Sequence, residues 1–491
     1  MPTPVRANAT ILRDQRGVPH ISASDPYDLF FAHGYAQAQD RLWQMDYLRR
    51  WAHGRISEVL GSEKFTEDIV ARTLGITELS QELLEGSHAE SRDMFLAFAD
   101  GVNAWISALP AGLPIEFELL GYEPDPWSAT DSVAILRRWA WYLTGRLPVI
   151  STPEVVRATI GDREAAFYQP DGPLVYIVPP GSYLPEPRWP HLPMADGPDT
   201  AWGPQEPGGS NNWAIAPGLS AGGFGMVASD PHVYFNLPSD LTEVHLHGAG
   251  YDVVGSAYAG VPIPRIGRNR DLAFGITNNI CMQRDLYVER LHPEDENRYL
   301  DGDEWLPIEH RTSEIAIRDQ PAQMLDIRFA HGRPIVDHMV ADAALPRNIW
   351  EPERGAHRAF VAWVGFERSD EPKAFMDLCR SRTVQTAARR SPAFVAPPGT
   401  TCWPTPTARW PINAPVPSLR GRGWRGIGTP TIRSTPGRDI SCSMVSKLDN
   451  PARGWVASAN NPTAPPDYPY PLNGAWTVED RAARAEPCSK S

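Results

Sequence analysis

The residues whose types and spacing carry the most chemistry lie in the stretch 208–213, which reads GGSNNW. A cut between Gly209 and Ser210 would create a new N-terminus on which one residue holds both a hydroxyl nucleophile and a free amine. Such an amine titrates near about 7.7–8.0, so it can act as a base at neutral pH, which a peptide nitrogen cannot do. Glycine before the bond suits a strained turn. Taken alone, the same letters also fit an ordinary turn that enters a strand.

Further polar groups that suit acyl-transfer chemistry follow this serine along the chain. A histidine, two asparagine pairs and an arginine come in order, each beside turn residues. They lie in Asp230-Pro231-His232, in Gly275-Ile276-Thr277-Asn278-Asn279, in Asn460-Asn461 and in Asp480-Arg481. Between the first two segments comes the run 245–269, which reads HLHGAGYDVVGSAYAGVPIPRIGRN.

In this order the segments resemble the penicillin amidase family of N-terminal nucleophile hydrolases, which includes penicillin, cephalosporin and acyl-homoserine-lactone acylases. The run 17–61 (GVPHISASDPYDLFFAHGYAQAQDRLWQMDYLRRWAHGRISEVLG) is similar to the start of that family's α subunit. The resemblance implies a precursor that cleaves itself into two chains, which then associate. It also implies an α+β fold, the four-layer αββα sandwich of these hydrolases.

The resemblance assigns a role to each polar residue of the motifs. Ser210 matches the N-terminal nucleophile, and His232 matches a histidine that orients or assists the serine–amine pair. Asn460 matches the asparagine of the oxyanion hole, and Arg481 matches an arginine that supports that asparagine. The alternatives are a hydrogen-bonded turn histidine, an Asn-Asn turn and a surface ion pair.

The oxyanion hole of such an enzyme needs two donors. The side-chain amide of Asn460 would meet the charge on the tetrahedral intermediate, a contact typically worth about 2.7–4 kcal/mol in the transition state. The second donor would be a backbone N–H of Asn278 or Asn279, because the alignment is ambiguous by one residue.

Metal binding is implied more weakly. Glu154 and Asp285 fall where penicillin G acylases have calcium-binding carboxylates. Calcium favours about six to eight oxygen ligands, so two carboxylates make an incomplete site. The mechanism itself requires no cofactor.

The resemblance also implies a pocket for the acyl group. Arg265 is unusual there, because the family usually places an apolar residue at this position. Cephalosporin acylases use an arginine in the matching segment to hold a carboxylate, so Arg265 hints at an acidic or polar acyl group; a charge at the pocket rim is the alternative. The expected lining residues are Trp141, Tyr142, Leu147, Val233, Arg265 and Ile266.

The elements that must position these residues change in type along the chain. Residues 9–22 alternate apolar and polar around an Arg-Gly turn, which predicts a hairpin. Apolar residues then recur at helical spacing from Asp25 to Gly61, and the runs 75–109 and 130–145 are typical of helices. From Ser210 onward, short apolar runs between turn residues predict strands.

The chain therefore divides into three parts. Residues 1–185 form a mostly helical, α-subunit-like part, and residues 186–209 form a connector that ends at the cleavage site. Residues 210–491 form a strand-rich, β-subunit-like part that begins with the nucleophile.

Residues 399–446 do not fit this scheme. They hold one acidic residue, Asp439, against six arginines, and they are rich in proline, threonine and serine. Two compensating frameshifts would explain such a run between the family-like segments FVAPPG and LDNPARGW; a true proline-rich insertion is the rival explanation. Family members continue well past the Asp480-Arg481 segment, so the sandwich is expected to be incomplete at its C-terminus.

Composition excludes several classes of partner. The net charge is −13 and there is no basic block before residue 380, which argues against nucleic-acid binding. Five cysteines without CxxC spacing favour neither a disulfide framework nor a zinc site. The N-terminus lacks the apolar region of a secretory signal, and no run spans a membrane, so a cytoplasmic location is expected.

The leading hypothesis is an amidohydrolase that acts on an N-acylated small molecule through an acyl-enzyme on Ser210. A β-lactam nucleus and a homoserine lactone are both open as leaving groups. Two other classes stay open as well. One is an inactive remnant of a disrupted acylase gene, and the other is a non-catalytic binding protein that uses the inherited pocket.

Overall fold

The computed structural model describes most of the first 143 residues and most of the strand-rich part. The described residues are 8–109, 112–143, 160, 209–233, 237–277, 284–336, 339, 357–367, 369–390, 399–402, 409–413, 447–449 and 453–461.

The chain begins with the predicted hairpin. Strands β1 (Ala9–Arg13) and β2 (Pro19–Ala23) pair antiparallel, and the Asp14 carboxylate accepts from the backbone N–H groups of Arg16 and Val18 in the turn. Such a local side-chain bond is what makes aspartate a turn former. The hairpin prediction is confirmed.

A long helix follows, as its apolar spacing predicts. Helix α1 (Pro26–His53) starts at Asp25, whose carboxylate accepts from the N–H groups of the first turn. It ends at Gly54, in the left-handed conformation with φ 65°. The sequence predicted that this helical segment would continue to Gly61. That boundary is wrong, because Gly54 ends the helix and only the short helix α2 (Ser57–Leu60) follows.

The other helices pack around α1. Gly34 and Gly101 allow a close approach between α1 and a later helix, since a Cβ on Gly34 would meet the carbonyl of Phe98 and one on Gly101 would meet the carbonyl of Phe31. The remaining helices are α3 (Phe65–Leu74), α4 (Ile76–Gly86), α5 (Ala89–Ala108), α6 (Ile115–Leu120), α7 (Ala129–Leu143), α8 (Glu371–Cys379) and α9 (Val384–Arg390).

The main sheet has nine strands among the described residues. Its order is β1, β2, β5, β6, β7, β8, β16, β17, β18. The strands after the hairpin are β5 (Leu241–Gly248), β6 (Tyr251–Tyr258), β7 (Ile266–Arg268), β8 (Ala273–Thr277), β16 (Gly399–Cys402), β17 (Arg409–Asn413) and β18 (Lys447–Asp449).

Three smaller sheets complete the described strands. The first, in the order β19–β3–β4, holds β3 (Gly209–Ile215), β4 (Met226–His232) and β19 (Trp455–Ser458). The second holds β9 (Arg284–His292), β10 (Asp295–Asp301), β11 (Glu304–Pro307) and β15 (His357–Trp363). The third holds β12 (Glu309–Ile317), β13 (Gln320–Ala330) and β14 (Arg333–Pro334).

Helices and sheet share one apolar core that joins the two parts of the chain. Buried side chains of α1 and α5 lie in the same cluster as Val244, Leu246 and Phe274 of the main sheet. Gln37 of α1 also donates to the Val261 carbonyl. The fold is therefore a mixed α+β arrangement in which helices cover one face of the main sheet.

Two sequence expectations concern parts of the chain that are only partly described. Within 399–446, the structure places two strands, β16 and β17, in the main sheet between β8 and the end strand β18. Backbone hydrogen bonds alone can sustain such pairing. Among the described residues, no helix is long and apolar enough to cross a bilayer.

Candidate active site

Ser210 lies near the start of β3, between two other strands. It pairs with Pro231 of β4 on one side, and β19 pairs with β3 on the other. Its exposed fraction is 8%, so the residue is almost enclosed. A hydroxyl in such a place is shielded from bulk water, which strengthens its polar interactions.

The residue before Ser210 adopts a backbone conformation that glycine readily allows. Gly209 has φ 141°, a conformation that disfavours residues with a side chain. The Ser210 hydroxyl donates to the carbonyl oxygen of Gly209 at 2.6 Å. The Ser210 Oγ and the Gly209 carbonyl are thus neighbours in the intact chain.

Asn460 contacts Ser210 from a distant part of the sequence. Its Oδ1 accepts from the Ser210 backbone nitrogen at 2.6 Å, and its Nδ2 donates to Thr277 Oγ1 at 3.3 Å. It has φ 64°, which is uncommon for a residue other than glycine and is often found at functional sites. Its exposed fraction is 2%.

The two sheets approach closely beneath Ser210. A Cβ on Gly275 of β8 would lie 2.7 Å from Asn212 Oδ1 and 2.8 Å from Ser229 Cβ. The Ser229 hydroxyl donates to the Ile276 carbonyl at 3.3 Å. Glycine at position 275 therefore lets β8 lie against β3 and β4, and this contact brings Thr277 within reach of Asn460.

His232 lies at the end of β4 in a different set of contacts. Its Nε2 is 2.9 Å from Asp230 Oδ2 and 3.2 Å from Asn211 Nδ2. Successive residues of a strand alternate between faces, so Asn211 and its partner Asp230 lie on the face opposite to Ser210 and its partner Pro231. The structure places the His232 side chain with the first pair. A direct role beside the serine stays a prediction.

The predicted pocket residues occupy several environments. Trp141 is buried against Trp363, with the guanidinium of Arg284 over its ring at 4.3 Å. Tyr142 is exposed and packs edge-on against Trp139.

Two further predicted pocket residues, Val233 and Ile266, are half-buried. Along the paired strands β7 and β8, Ile266 shares a face with Arg268, Ala273 and Thr277. This is the face that the Ser210 sheet covers.

Arg265 lies elsewhere. It lines a cavity whose other walls come from helices α4, α5, α7 and α8 and the segments next to them, and no strand of the Ser210 sheet contributes to that lining. Its guanidinium lies over the rings of Phe375 and Tyr258, at 5.0 and 5.5 Å. Selection of the acyl group by Arg265 stays a prediction.

Several predicted residues fall outside the described part of the chain. They are Leu147, Glu154, Asn278, Asn279 and Arg481; for Asp285 only the backbone, in β9, is described. Among the described residues, no group of three or more His, Cys, Asp and Glu side chains could hold a metal. Calcium binding by Glu154 and Asp285 stays a prediction, and no chemical step is assigned to it.

Comparisons with known proteins place the chain in a family. The family profile described as penicillin amidase matches residues 8–487. The chain belongs to the penicillin amidase family. The matched range covers the helical and the strand-rich part of the chain, and every described site residue lies within it.

Two curated relatives and one solved structure show the extent of the likeness. Penicillin acylase 2 proenzyme from Pseudomonas sp. (strain SE83) is 35% identical over 69% of this chain and 45% of that protein. Acyl-homoserine lactone acylase QuiP from Pseudomonas aeruginosa is 26% identical over 97% of this chain and 58% of that protein. A thermostable penicillin G acylase from Alcaligenes faecalis, in orthorhombic form, superposes with a TM-score of 0.44 and 20% identity over 57% of this chain and 49% of that chain. The chain thus spans about half the length of the curated relatives it matches.

Sequence reasoning missed one residue of the site. Thr277 is buried, with 1% of its surface exposed, and it accepts from the Asn460 amide. The motif Gly-Ile-Thr-Asn-Asn was recognised for its two asparagines, while its threonine carried no distinguishing signal. In this member of the penicillin amidase family, Thr277 links β8 to the Asn460 side chain.

Proposed function

We propose that this protein is an acylase, an amide hydrolase whose nucleophile is Ser210 after self-cleavage of the Gly209–Ser210 bond. The observation that carries the proposal is the set of contacts at that bond. The Ser210 hydroxyl lies 2.6 Å from the Gly209 carbonyl oxygen, and the nitrogen that would leave is held by Asn460 at 2.6 Å. Family membership supports the same reaction class.

Self-cleavage would proceed through an ester. The Ser210 Oγ attacks the Gly209 carbonyl carbon, the C–N bond breaks, and the hydroxyl proton passes to the departing nitrogen. Water then hydrolyses the ester, which yields the Gly209 carboxylate and a free Ser210 amine. Glycine at position 209 permits the φ of 141° that holds its carbonyl beside the Ser210 hydroxyl.

Turnover would use the same atoms. The free amine of Ser210 accepts the hydroxyl proton while Oγ attacks the substrate amide, and the amine half of the substrate leaves with that proton. Water then hydrolyses the ester on Ser210, which releases the carboxylic acid and restores the hydroxyl. Asn460 suits two tasks, because its Oδ1 can orient the Ser210 amine and its Nδ2 carries two hydrogens. One hydrogen bonds Thr277, and the Nδ2 amide would be the side-chain donor to the oxyanion. A backbone N–H of Asn278 or Asn279 and support by Arg481 complete the proposed set.

The two products of cleavage are expected to stay together. Residues on both sides of Gly209 contribute to one core, in which Gln37 bonds Val261 and Gly260 and His33 bonds the Pro262 carbonyl. Separating the chains would expose this core and leave these buried groups unpaired. The described layers of helices and two sheets also agree with the proposed four-layer sandwich, whose second helical layer is not described.

The substrate class follows from the names of the relatives. They are called a penicillin acylase and an acyl-homoserine lactone acylase, so the proposed substrate is an N-acylated small molecule with an amide next to a lactam or lactone ring. Comparing a penicillin with an acyl-homoserine lactone as substrates would distinguish the two leaving groups.

A cleavage experiment tests the proposal. The purified chain of 54.4 kDa should split into two fragments that sum to that mass, with Ser210 at the new N-terminus. Ser210→Ala should stay intact, whereas Ser220→Ala, which changes a half-buried serine of the connection between β3 and β4, should split normally. A folded wild-type chain that stays uncut would refute the proposal and favour the remnant hypothesis.

A further inference from the structure

Two histidines meet on the face of the main sheet that points away from α1. His20 of β2 and His245 of β5 are partners across the parallel pair of strands, and the next residues, Ile21 and Leu246, are fully buried in the core with α1. Successive residues of a strand alternate between faces, so both imidazoles lie on the opposite face, where they are half-buried. Their Nδ1 atoms are 2.9 Å apart, and their rings are nearly perpendicular at 86°. One nitrogen from each strand therefore lies at a shared point.

A carboxylate lies beside the other nitrogen of each ring. His245 Nε2 is 3.1 Å from Asp252 Oδ1 in β6, and His20 Nε2 is 3.8 Å from Asp14 Oδ2 in the turn of the first hairpin. Because a carboxylate only accepts hydrogen bonds, it favours the imidazole tautomer that carries its hydrogen on Nε2. That tautomer has its lone pair on Nδ1, and a carboxylate behind the ring is the usual support of a metal-binding histidine.

The short distance between the two Nδ1 atoms requires a cation between them. Two lone pairs at 2.9 Å repel each other, and in the metal-free chain one proton removes the repulsion, because one Nδ1–H donates to the other Nδ1. A metal ion that displaces this proton would remove it as well. Two nitrogens that each lie about 2.0–2.1 Å from one zinc ion are about 2.9–3.4 Å apart. The observed separation is at the lower end of that range.

The charge around the imidazole pair favours a cation. Three carboxylates and one guanidinium surround it, and they belong to Asp14, Glu243, Asp252 and Arg16. Arg16 is exposed, and it lies 3.9 Å from the first of these carboxylates and 3.4 Å from the second, so its pairing is weak. His247 lies on the same face, with its ring 6.1 Å from that of His245. The net charge of the neighbours is negative, which attracts a bound cation.

We propose that His20 and His245 bind one divalent transition-metal ion through their Nδ1 atoms, with water in the remaining positions and with Asp14 and Asp252 behind the rings. Imidazole nitrogen suits Zn²⁺, Ni²⁺ and Cu²⁺, whereas Ca²⁺ and Mg²⁺ favour oxygen ligands. Two protein ligands leave positions open to water, so the ion should exchange with the solution.

The ion would join the two parts of the chain. His20 lies before Gly209 and His245 lies after it, so a metal held by both would bridge the two products of cleavage. This bridging rests on the proposed function. Metal binding does not, and the uncut chain is expected to bind the ion as well.

The test uses Ser210→Ala protein, so that processing and turnover do not interfere. Calorimetric titration with Zn²⁺ is expected to show saturable binding, and saturating Zn²⁺ should raise the melting temperature, because the ion binds the folded chain. An excess of Ca²⁺ should leave the Zn²⁺ affinity unchanged. With Cu²⁺ as the probe, electron paramagnetic resonance should show coupling to two imidazole nitrogens.

Variants locate the site. His20→Gln and His245→Gln each remove one ligand, so each is expected to weaken Zn²⁺ binding at least about tenfold and to abolish the rise in melting temperature. His310→Gln is the matched control. His310 is also a strand histidine beside a carboxylate, 3.0 Å from Asp326, but its partner across the strand pair is Arg328. This variant should bind Zn²⁺ as the parent does.

A further variant keeps the proposal testable if the histidine variants do not fold. Asp252→Asn changes an exposed carboxylate behind His245 and should weaken Zn²⁺ binding about 10- to 100-fold. If the imidazole pair served the fold alone, the histidine variants would melt lower without metal and keep the Zn²⁺ affinity of the parent. That result, the absence of saturable Zn²⁺ binding, competition by Ca²⁺, or an equal loss in His310→Gln would each overturn the proposal.

Discussion

The hydrogen bond between Thr277 and Asn460 gives a quantitative test of how the site is positioned. Thr277→Val keeps the shape of the side chain and removes the acceptor for Asn460 Nδ2. The bond is neutral and 3.3 Å long, slightly beyond the usual range for N–H···O. A neutral hydrogen bond contributes about 0.5–1.5 kcal/mol, and this length places it in the lower half of that range.

The expected loss follows from that energy. About 0.5–1 kcal/mol corresponds to a two- to fivefold decrease in rate, both for self-cleavage and for kcat. Asn460→Ala removes the proposed oxyanion donor itself, and its cost should be about 10²–10³ in kcat. Thr277 would thus act through Asn460, and the two effects should differ by more than tenfold.

The assay follows the intact 54.4 kDa chain on a gel over time, and kcat and KM of the processed protein on an N-acylated substrate. Thr277→Ser, which keeps the acceptor, should restore the wild-type cleavage rate. KM should not change in Thr277→Val, because the acceptor does not touch substrate. A Thr277→Val rate equal to wild type, or as low as that of Asn460→Ala, would refute the reasoning.

Three other perturbations have expected outcomes. Gly209→Ala puts a side chain at φ 141°, so the precursor should lose about 1–3 kcal/mol of unfolding free energy in urea titrations. Gly275→Ala forces a Cβ to within 2.7 Å of Asn212 Oδ1 and should cost about 1–3 kcal/mol by the same measurement; no loss would mean that the sheets separate easily. Burial lowers the pKa of His33 from 6.5 to about 4, so the unfolded chain binds a proton that the folded chain does not. Stability should therefore fall by up to about 3 kcal/mol as the pH falls from 6.5 to 4, and His33→Gln should remove that part of the slope.

Local signals explain which elements could be predicted. The hairpin of β1 and β2 and the start of α1 depend on Asp14 and Asp25, whose carboxylates bond neighbouring backbone N–H groups. Such contacts join residues that are close together in the sequence, and both predictions are confirmed. The sequence did not predict the helix end at Gly54, because apolar residues continue at helical spacing beyond this glycine.

The sequence motifs predict which residues belong to the site, but they do not predict which of these residues contact each other. Asn460 is separated from Ser210 by 250 residues, and nothing local states which residue it meets. Its position follows from strand register. The pairing of β19 with β3 ends at Ser458 and Asn212, and Asn460 follows two residues later in the turn, where its side chain reaches the Ser210 nitrogen. Register depends on long-range packing, which is why the sequence predicted an oxyanion role and not the bond to the Ser210 nitrogen.

This register has a consequence for the unusual segment 399–446. Asn460 reaches Ser210 because β19 pairs with β3, and β19 lies after that segment. The proposed cleavage geometry therefore depends on the segment from about Trp455 to Asn461, and the described contacts of Ser210 and Asn460 involve no residue of 399–446. A frame error confined to that segment would leave the bond between Ser210 and Asn460 in place. The loss would instead fall on the edge of the main sheet, where β16 pairs with Thr277 of β8. Thr277 thus both pairs with β16 and holds Asn460, and it is the residue through which the hypothesised frame error would affect the site.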